Sequence, residues 1–428
     1  MEAIIAIVLL LVLMMVGVPI AFALGFSAII SVLFITGPEI ISKVGWAPFH
    51  LLFNLSWTPL PLFILIGALI AETDIGKDLF SAATKWLSRV PGGLFASSII
   101  GEGITAASLG TSAACIMVVG KIALPEFERN GYNRSLGAGS LLAGGLLGPL
   151  IPPSATMIIY AVLTETSLGH LFIAGVLPGI LLVTMLSAVA IGICIRRPQY
   201  GPALGSYTWK ERFSSLNNIW PAALIILSIL GVIYFGIATP TESAGIGTVV
   251  VLILAITRFR LRGKNISNAM KEAATINSMF LFILIGASLF TYVVETANTG
   301  KLLFSFLQTA DISPWVVIIA MNIIYLVLGI FLDPITITFI TIPLFFPVIV
   351  QLGFDPIWFG IVFVVNTQLG LITPPMALDL IAMKTVFDIP IGELVRGVMP
   401  FFITELIFLA ILIAFPQISL FLPHMMTN

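Results

Sequence analysis

The sequence predicts an all-α, polytopic membrane protein built from two structural repeats, with re-entrant helical hairpins and broken helices. Three observations carry this expectation. Hydrophobic residues make up 59% of the 428 residues and charged residues only 9%, and mean hydropathy is +1.14; soluble domains carry about 25% charged residues. Apolar runs alternate with short polar punctuation, and at roughly 20 residues per crossing the chain has material for about a dozen crossings. Glycines and prolines recur at one fixed offset between the two halves.

Composition also excludes function classes. With 19 basic and 20 acidic residues the net charge is −1, so no basic field points to nucleic acid. Cys115 and Cys194 sit in the apolar runs 113–119 and 188–195 and read as packed thiols, not as a disulfide framework. The three histidines, His50, His170 and His424, form no H-E-x-x-H motif. Neither G-x-S-x-G nor the P-loop pattern is present. No catalytic constellation, no transition-metal site and no ATP hydrolysis by this chain is expected, and the protein is read as not an enzyme.

Taken in order, residues 3–36 hold a first spanning helix and, after Gly17-Val18-Pro19, a second, shorter element. The N-terminus lacks a basic n-region, so this run reads as a membrane helix and not a signal peptide. Residues 37–57 carry Pro38, Lys43, Trp46, His50 and Trp57, the types found at headgroup level. An apolar stretch, 58–72, precedes a more polar one, 76–93. Two connections are strongly basic: Arg196, Arg197, Lys210 and Arg212 in the first, Arg258, Arg260, Arg262, Lys264 and Lys271 in the second. The positive-inside rule puts both in the cytoplasm. The chain between them must cross and return, turning at Thr239-Pro240-Thr241-Glu242-Ser243.

That hairpin divides two related halves. Phe63-Ile64-Leu65-Ile66-Gly67-Ala68 recurs letter for letter as Phe282-Ile283-Leu284-Ile285-Gly286-Ala287, and Gly76-Lys77 as Gly300-Lys301. Further on, an offset of 222 pairs Pro125 with Pro347, Gly131 with Gly353 and Gly148 with Gly370. It also pairs Pro152-Pro153 with Pro374-Pro375, Gly175 with Gly397 and Pro178 with Pro400. Chance similarity between apolar segments is common, but so many Gly/Pro matches in one ungapped register are not. Such halves are the signature of a repeat-built secondary transporter, with the binding site at the broken helices. The number of crossings between the halves leaves parallel against inverted open; inversion is the expectation.

The first centre is Gly144-Gly145-Leu146-Leu147-Gly148-Pro149-Leu150-Ile151-Pro152-Pro153-Ser154. The second is Asn366-Thr367-Gln368-Leu369-Gly370-Leu371-Ile372-Thr373-Pro374-Pro375-Met376. A proline pair removes two amide donors, and glycine lets the chain leave helical geometry. The freed carbonyls are costly in hydrocarbon unless something binds them, and a dehydrated Na⁺ suits them. One such motif alone reads as a proline kink; two in register favour an ion site. Upstream lie two further polar breaks, residues 105–112 and 329–336, read as tips of hairpins that enter the membrane part way. Small residues there serve equally for helix packing. Glu165 is the one acid in 136–195 and Asp333 the one in 312–354. Intramembrane acids are functional candidates. Asp333, just before Pro334, also reads as a helix cap. Glu242 and Asp379 read as interfacial.

At these residues the sequence resembles a known family. Gly148-Pro149-Leu150-Ile151-Pro152-Pro153-Ser154, Gly370-Leu371-Ile372-Thr373-Pro374-Pro375, Thr239-Pro240-Thr241-Glu242 and Gly17-Val18-Pro19-Ile20-Ala21-Phe22-Ala23-Leu24-Gly25 are similar to the large membrane subunit, DctM type, of tripartite ATP-independent periplasmic (TRAP) transporters. The resemblance covers nearly the whole chain. It implies the ion transporter superfamily, a bacterial inner-membrane location and sodium-driven import of an organic anion by an elevator motion. The anion would be a C4-dicarboxylate, sialic acid or another sugar acid.

Carried over by motif, the first Na⁺ site would use Ser108, Thr111, Ser112, Gly148, Ile151 and Pro153. The second would use Gly329, Gly370, Thr373 and Met376, mainly through backbone carbonyls. The hairpin tip Leu109-Gly110-Thr111-Ser112 departs from the family's usual Ser-Gly-Ser-Ser. Substrate would sit between the tips, at Thr111, Ser112, Ser154, Asp333, Asn366 and Pro374, held by half-helix N-termini. The implied division is 1–93 as the scaffold part of the first repeat and 94–195 as its transport part. Residues 196–275 then form cytoplasmic loops and a scaffold hairpin, 276–312 the second scaffold part, 313–390 the second transport part, and 391–428 a C-terminal helix. Implied partners are a periplasmic substrate-binding protein and a separate small four-helix membrane subunit, docked on the first helices and on 37–57. A self-sufficient sodium–dicarboxylate symporter is the alternative. A channel subunit would not explain two proline-pair centres that match in position.

Overall fold

Glycine, proline and short polar side chains set where each helix starts and stops. The structure, a computed structural model, describes residues 2–35, 45, 46, 48, 49, 53–297, 299–374 and 377–426. Among them there are helices and loops and no strand. The first repeat runs α1 (Glu2–Met15), α2 (Ile20–Ile35), α3 (Pro59–Ala71), α4 (Ile75–Leu87), α5 (Gly93–Leu109), α6 (Ser112–Arg129), α7 (Arg134–Gly145), α8 (Leu147–Leu150), α9 (Ala155–Thr164) and α10 (Leu168–Arg196). Then come α11 (Trp209–Leu216), α12 (Trp220–Ile226), α13 (Val232–Tyr234) and α14 (Pro240–Thr257). The rest is α15 (Gly263–Thr296), α16 (Thr299–Thr309), α17 (Pro314–Phe331), α18 (Pro334–Gln351), α19 (Pro356–Leu371), α20 (Leu378–Phe387), α21 (Ile391–Ala414) and α22 (Gln417–His424).

Local chemistry explains many of these starts. Thr239 and Glu242 form a reciprocal capping box on α14, with Pro240 at the first helical position. Asp355 accepts from the amides of Ile357 and Trp358 at 2.8 and 2.9 Å to open α19. Asn133 and Ser167 do the same for α7 and α10. Each cap satisfies amides that a helix start leaves without an intrahelical partner.

Eight helical stretches among the described residues are long and apolar enough to span a bilayer, and nine if the pair bent by 65° at Ala71–Ile75 counts as one. Apolar side chains such as Val249, Ile253, Val316 and Ile323 point outward, where acyl chains would cover them.

The repeat is visible in the helix ends. Adding 222 to both ends of α6 gives the ends of α18, and the same shift carries α5 onto α17 and α9 onto α20 within one residue. The helix that begins the second repeat, α14, packs on α3, while α2 packs on α15, the counterpart of α3. The repeats are inverted. Helix α7 runs parallel to α21: Ser135 donates to the Glu393 carbonyl at 2.7 Å, and Gly139 lies on Gly397 one turn on. Helix α19, the counterpart of α7, runs the other way along α21: the Trp358 indole donates to the Leu412 carbonyl at 2.9 Å, while Gln368 and Glu405 share one small cavity.

Three sequence expectations change in detail. The hairpin tips are narrower: helix persists to Leu109 and to Phe331, leaving two-residue breaks. Their arms of 17 or 18 residues reach about 27 Å at 1.5 Å per residue, longer than the partial entry read from the sequence. The second centre stays helical through Leu371 and opens only from 372 to 374 among the described residues, because a helix keeps its own hydrogen bonds wherever the prolines allow. Glu165 is not within a helix; it ends α9 in the left-handed conformation, exposed.

Candidate functional site

Two crossings, one per repeat, bring each hairpin tip onto its broken helix. In the first repeat α8 ends at Leu150, and the chain bends through Ile151-Pro152-Pro153 to Ser154. Ser154 is fully buried and caps α9 by accepting from the Met157 amide at 3.3 Å. The tip of hairpin 1 lies against this break. Gly110 has φ +65°, and a Cβ there would come 2.9 Å from the Pro153 carbonyl oxygen. A Cβ on Gly148 would come 2.8 Å from the Thr111 carbonyl and 3.1 Å from the Ser112 amide nitrogen. Only glycine allows the two backbones to approach this closely. Ile151 leans the other way, onto Gly179 and Gly103.

In the second repeat the crossing is tighter. A Cβ on Gly329 would lie 2.7 Å from the Gly370 Cα. Thr373, half-buried, donates its hydroxyl to the Leu369 carbonyl at 2.7 Å, and its amide to the Gly370 carbonyl at 3.1 Å. Asn366 is buried and donates to the Asn322 carbonyl and side-chain oxygens at 2.9 and 2.6 Å, tying α19 to α17. Asp333 caps α18: its carboxylate accepts from the Ile335 and Thr336 amides at 3.0 and 3.1 Å, and from the Thr336 hydroxyl. Pro374 is half-buried in the second break. Met376 and the Ser108 side chain lie outside the described residues, as does most of the segment 36–52.

A cavity of about 110 Å³ lies between the hairpin 1 tip and helices α3 and α15. Gly110, Thr111 and Pro153 form one wall; Phe63, Gly67 and Ala68 of α3 and Ile276 and Phe280 of α15 form the other. Glu272, exposed, stands at its edge. Thr111 alone of the six proposed substrate residues lines this space. An open basin of about 860 Å³ lies at another surface, where α9 ends and α10 and α14 begin. Glu165, His170, Thr239 and Glu242 line it. Helices α10 and α14 both run from this basin to the two basic connections, so the basin and those connections lie at opposite ends of both helices.

Two functional candidates escaped the sequence reading. Ser112 donates its hydroxyl to Asp379 of α20, joining hairpin 1 to the second repeat. Asp379 is 3% exposed, not interfacial. Glu102 on α5 is fully buried, and neither carboxyl oxygen has a hydrogen-bond partner. It lies directly on Gly144, where a Cβ would overlap its Oε2. The signal for Glu102 was in Gly101-Glu102-Gly103, an acid held between two glycines in an apolar run.

The family model for the DctM component of tripartite ATP-independent periplasmic transporters matches residues 7–418. The chain belongs to that family. It is accordingly a multi-pass protein of the bacterial inner membrane. It is 34% identical over 94% of its length to a C4-dicarboxylate TRAP transporter large permease protein DctM of Pseudomonas aeruginosa, covering 94% of that protein. It is 28% identical to the sialic acid TRAP transporter large permease protein SiaM of Vibrio cholerae, over 96% of this chain and 95% of that one. An ectoine/5-hydroxyectoine TRAP transporter large permease protein of Ruegeria pomeroyi is 30% identical over 85% of this chain and 84% of its own. Among solved structures, the YdaH transporter of Alcanivorax borkumensis superposes with a TM-score of 0.63 at 15% identity, over 90% of both chains. That likeness concerns the fold.

Proposed function

We propose that this DctM-family chain is the large transmembrane subunit of a sodium-gradient-driven importer of an organic anion that depends on a binding protein. The observation that carries the reading is the matched pair of glycine crossings, Gly148 on Thr111 and Gly370 on Gly329. Each sets a hairpin tip beside backbone that leaves the helix, where carbonyl and hydroxyl oxygens suit a dehydrated Na⁺. Gly148, Ile151 and Pro153 with Ser108, Thr111 and Ser112 form the first sodium site; Gly329, Gly370, Thr373 and Met376 form the second. Thr111, Ser112, Ser154, Asp333, Asn366 and Pro374 serve the cargo. The relatives' named cargoes make C4-dicarboxylates, sialic acid and ectoine the first compounds to try.

In the elevator reading, α1–α4 and 196–312 form the scaffold, supported by the crossed packing of α2 on α15 and α14 on α3. Residues 94–195 and 313–390, with both hairpins and both breaks, form the moving part. The cavity's exposed edge, Glu272, follows the basic loop 258–271, so this conformation opens toward the cytoplasm. A periplasmic binding protein would dock over the outer basin, and a separate small four-helix subunit on the exposed apolar face of α1 and α2, where Val8, Val12, Phe22 and Phe26 project.

Reconstitution in liposomes tests this. Uptake should need an inward sodium gradient, the small subunit and the cargo-loaded binding protein together. Uptake on sodium alone would establish the self-sufficient symporter instead.

A further inference from the structure

We propose that Glu102 and Asp379, with the Ser112 hydroxyl, hold a monovalent metal cation, sodium, between the two repeats. This third ion would share Ser112 with the first of the two proposed sodium sites, and the inference rests on sodium being the coupling ion. The Glu102 carboxyl is fully buried, and neither of its oxygens has a hydrogen-bond partner. Burying an ionised carboxylate without a partner is costly, so the group takes up either a proton or a counter-cation. Among the described residues no Lys, Arg or His pairs with Glu102 or Asp379.

The two carboxyls belong to one locus. Glu102 lies on Gly144; the adjacent Gly145 would place a Cβ 3.1 Å from the Ser112 oxygen, which donates to Asp379. Cys115, one turn beyond Ser112 on α6, is buried beside them.

Charge counting selects a monovalent ion. Ser112 begins the 18-residue α6, and Asp379 sits in the first turn of the 10-residue α20. Each helix N-terminus contributes roughly half a positive charge. Against two carboxylates this leaves about one negative charge for a cation to neutralise. Oxygen-only donors of this kind suit a hard ion. The site has no symmetry mate, because the 222 offset takes Glu102 to Ile324, Ser112 to Pro334 and Asp379 back to Met157. The sodium count is therefore odd: one ion per repeat, and one shared.

The test is equilibrium binding of ²²Na⁺ to the full chain in lipid nanodiscs. The wild type should bind one ion more than E102Q and one more than D379N. E102D, which keeps the charge on a shorter arm, should retain the extra ion with about tenfold weaker affinity. Elution profile and melting midpoint establish that each variant is folded, and E102D decides the question if E102Q does not fold. Equal counts in wild type, E102Q and D379N overturn the proposal. So does a proton released on sodium addition by the wild type alone with no difference in sodium count, which would assign the pair to a proton. If the wild type binds no sodium, the sodium reading of the family sites falls with it. If only T373A loses an ion, this inference falls and that reading stands.

Discussion

Gly329 and Gly370 meet backbone to backbone, so that a Cβ on Gly329 would come within 2.7 Å of the Gly370 Cα. The contact fixes hairpin 2 on the second break without any side chain. G329A must push the helices apart, and overpacking of this kind costs about 1–3 kcal/mol. A lowered melting midpoint together with lost sodium-driven uptake is the expected result. G148A should do the same through Thr111 in the first repeat. Wild-type stability and uptake in both variants would remove the crossings from the mechanism.

Thr373 donates its hydroxyl to Leu369 and stands beside the Gly370 carbonyl. T373A keeps the helix but removes an oxygen from the second proposed site. The sodium concentration for half-maximal uptake should rise about tenfold, equivalent to ~1.4 kcal/mol. Unchanged sodium activation would place the ion elsewhere.

Asp333 spends its carboxylate on the first turn of α18. Asparagine caps about as well as aspartate, whereas alanine costs roughly 1 kcal/mol. D333N should keep the melting midpoint, and D333A should lower it. A raised KM for cargo in D333N at unchanged stability is expected from its proposed place in the substrate site. An unchanged KM would leave the cap as its whole role.

Sidedness is open to direct chemistry. Both native cysteines are buried and unpaired, so single introduced thiols give a clean signal. Ile237 is exposed at the outer basin and Lys264 is exposed on the opposite basic loop. A membrane-impermeant maleimide should label I237C, and not K264C, in spheroplasts with intact inner membranes. The reverse pattern would invert the assignment of cytoplasmic loops.

Much of this architecture was legible in the sequence because glycine and proline report backbone geometry directly. The offset of 222 related the hairpins and breaks of the two halves, and in the structure it also relates the ends of α6 to those of α18. It did not yield the direction of the repeats, which needed contacts such as Ser135 with Glu393 and Trp358 with Leu412. Nor did it yield the carboxyl pair. Ser112 and Asp379 are 267 residues apart in sequence, and nothing local to Asp379 reveals that it is buried against hairpin 1. The break after Gly370 came later than expected because the helix keeps its ladder until proline removes the donors.

The inverted repeats also bear on the energy of the cycle. The two halves hold different poses: α3 packs on hairpin 1, whereas its counterpart α15 packs on α18 of hairpin 2. In the proposed elevator mechanism, exchanging those poses between the halves would generate a second conformation of the same chain, open to the opposite side of the membrane. Because both end states then use nearly the same set of contacts, neither is favoured strongly by the fold itself. Under that proposal, small biases from bound ions, cargo and a docked partner would be enough to decide which way the protein faces.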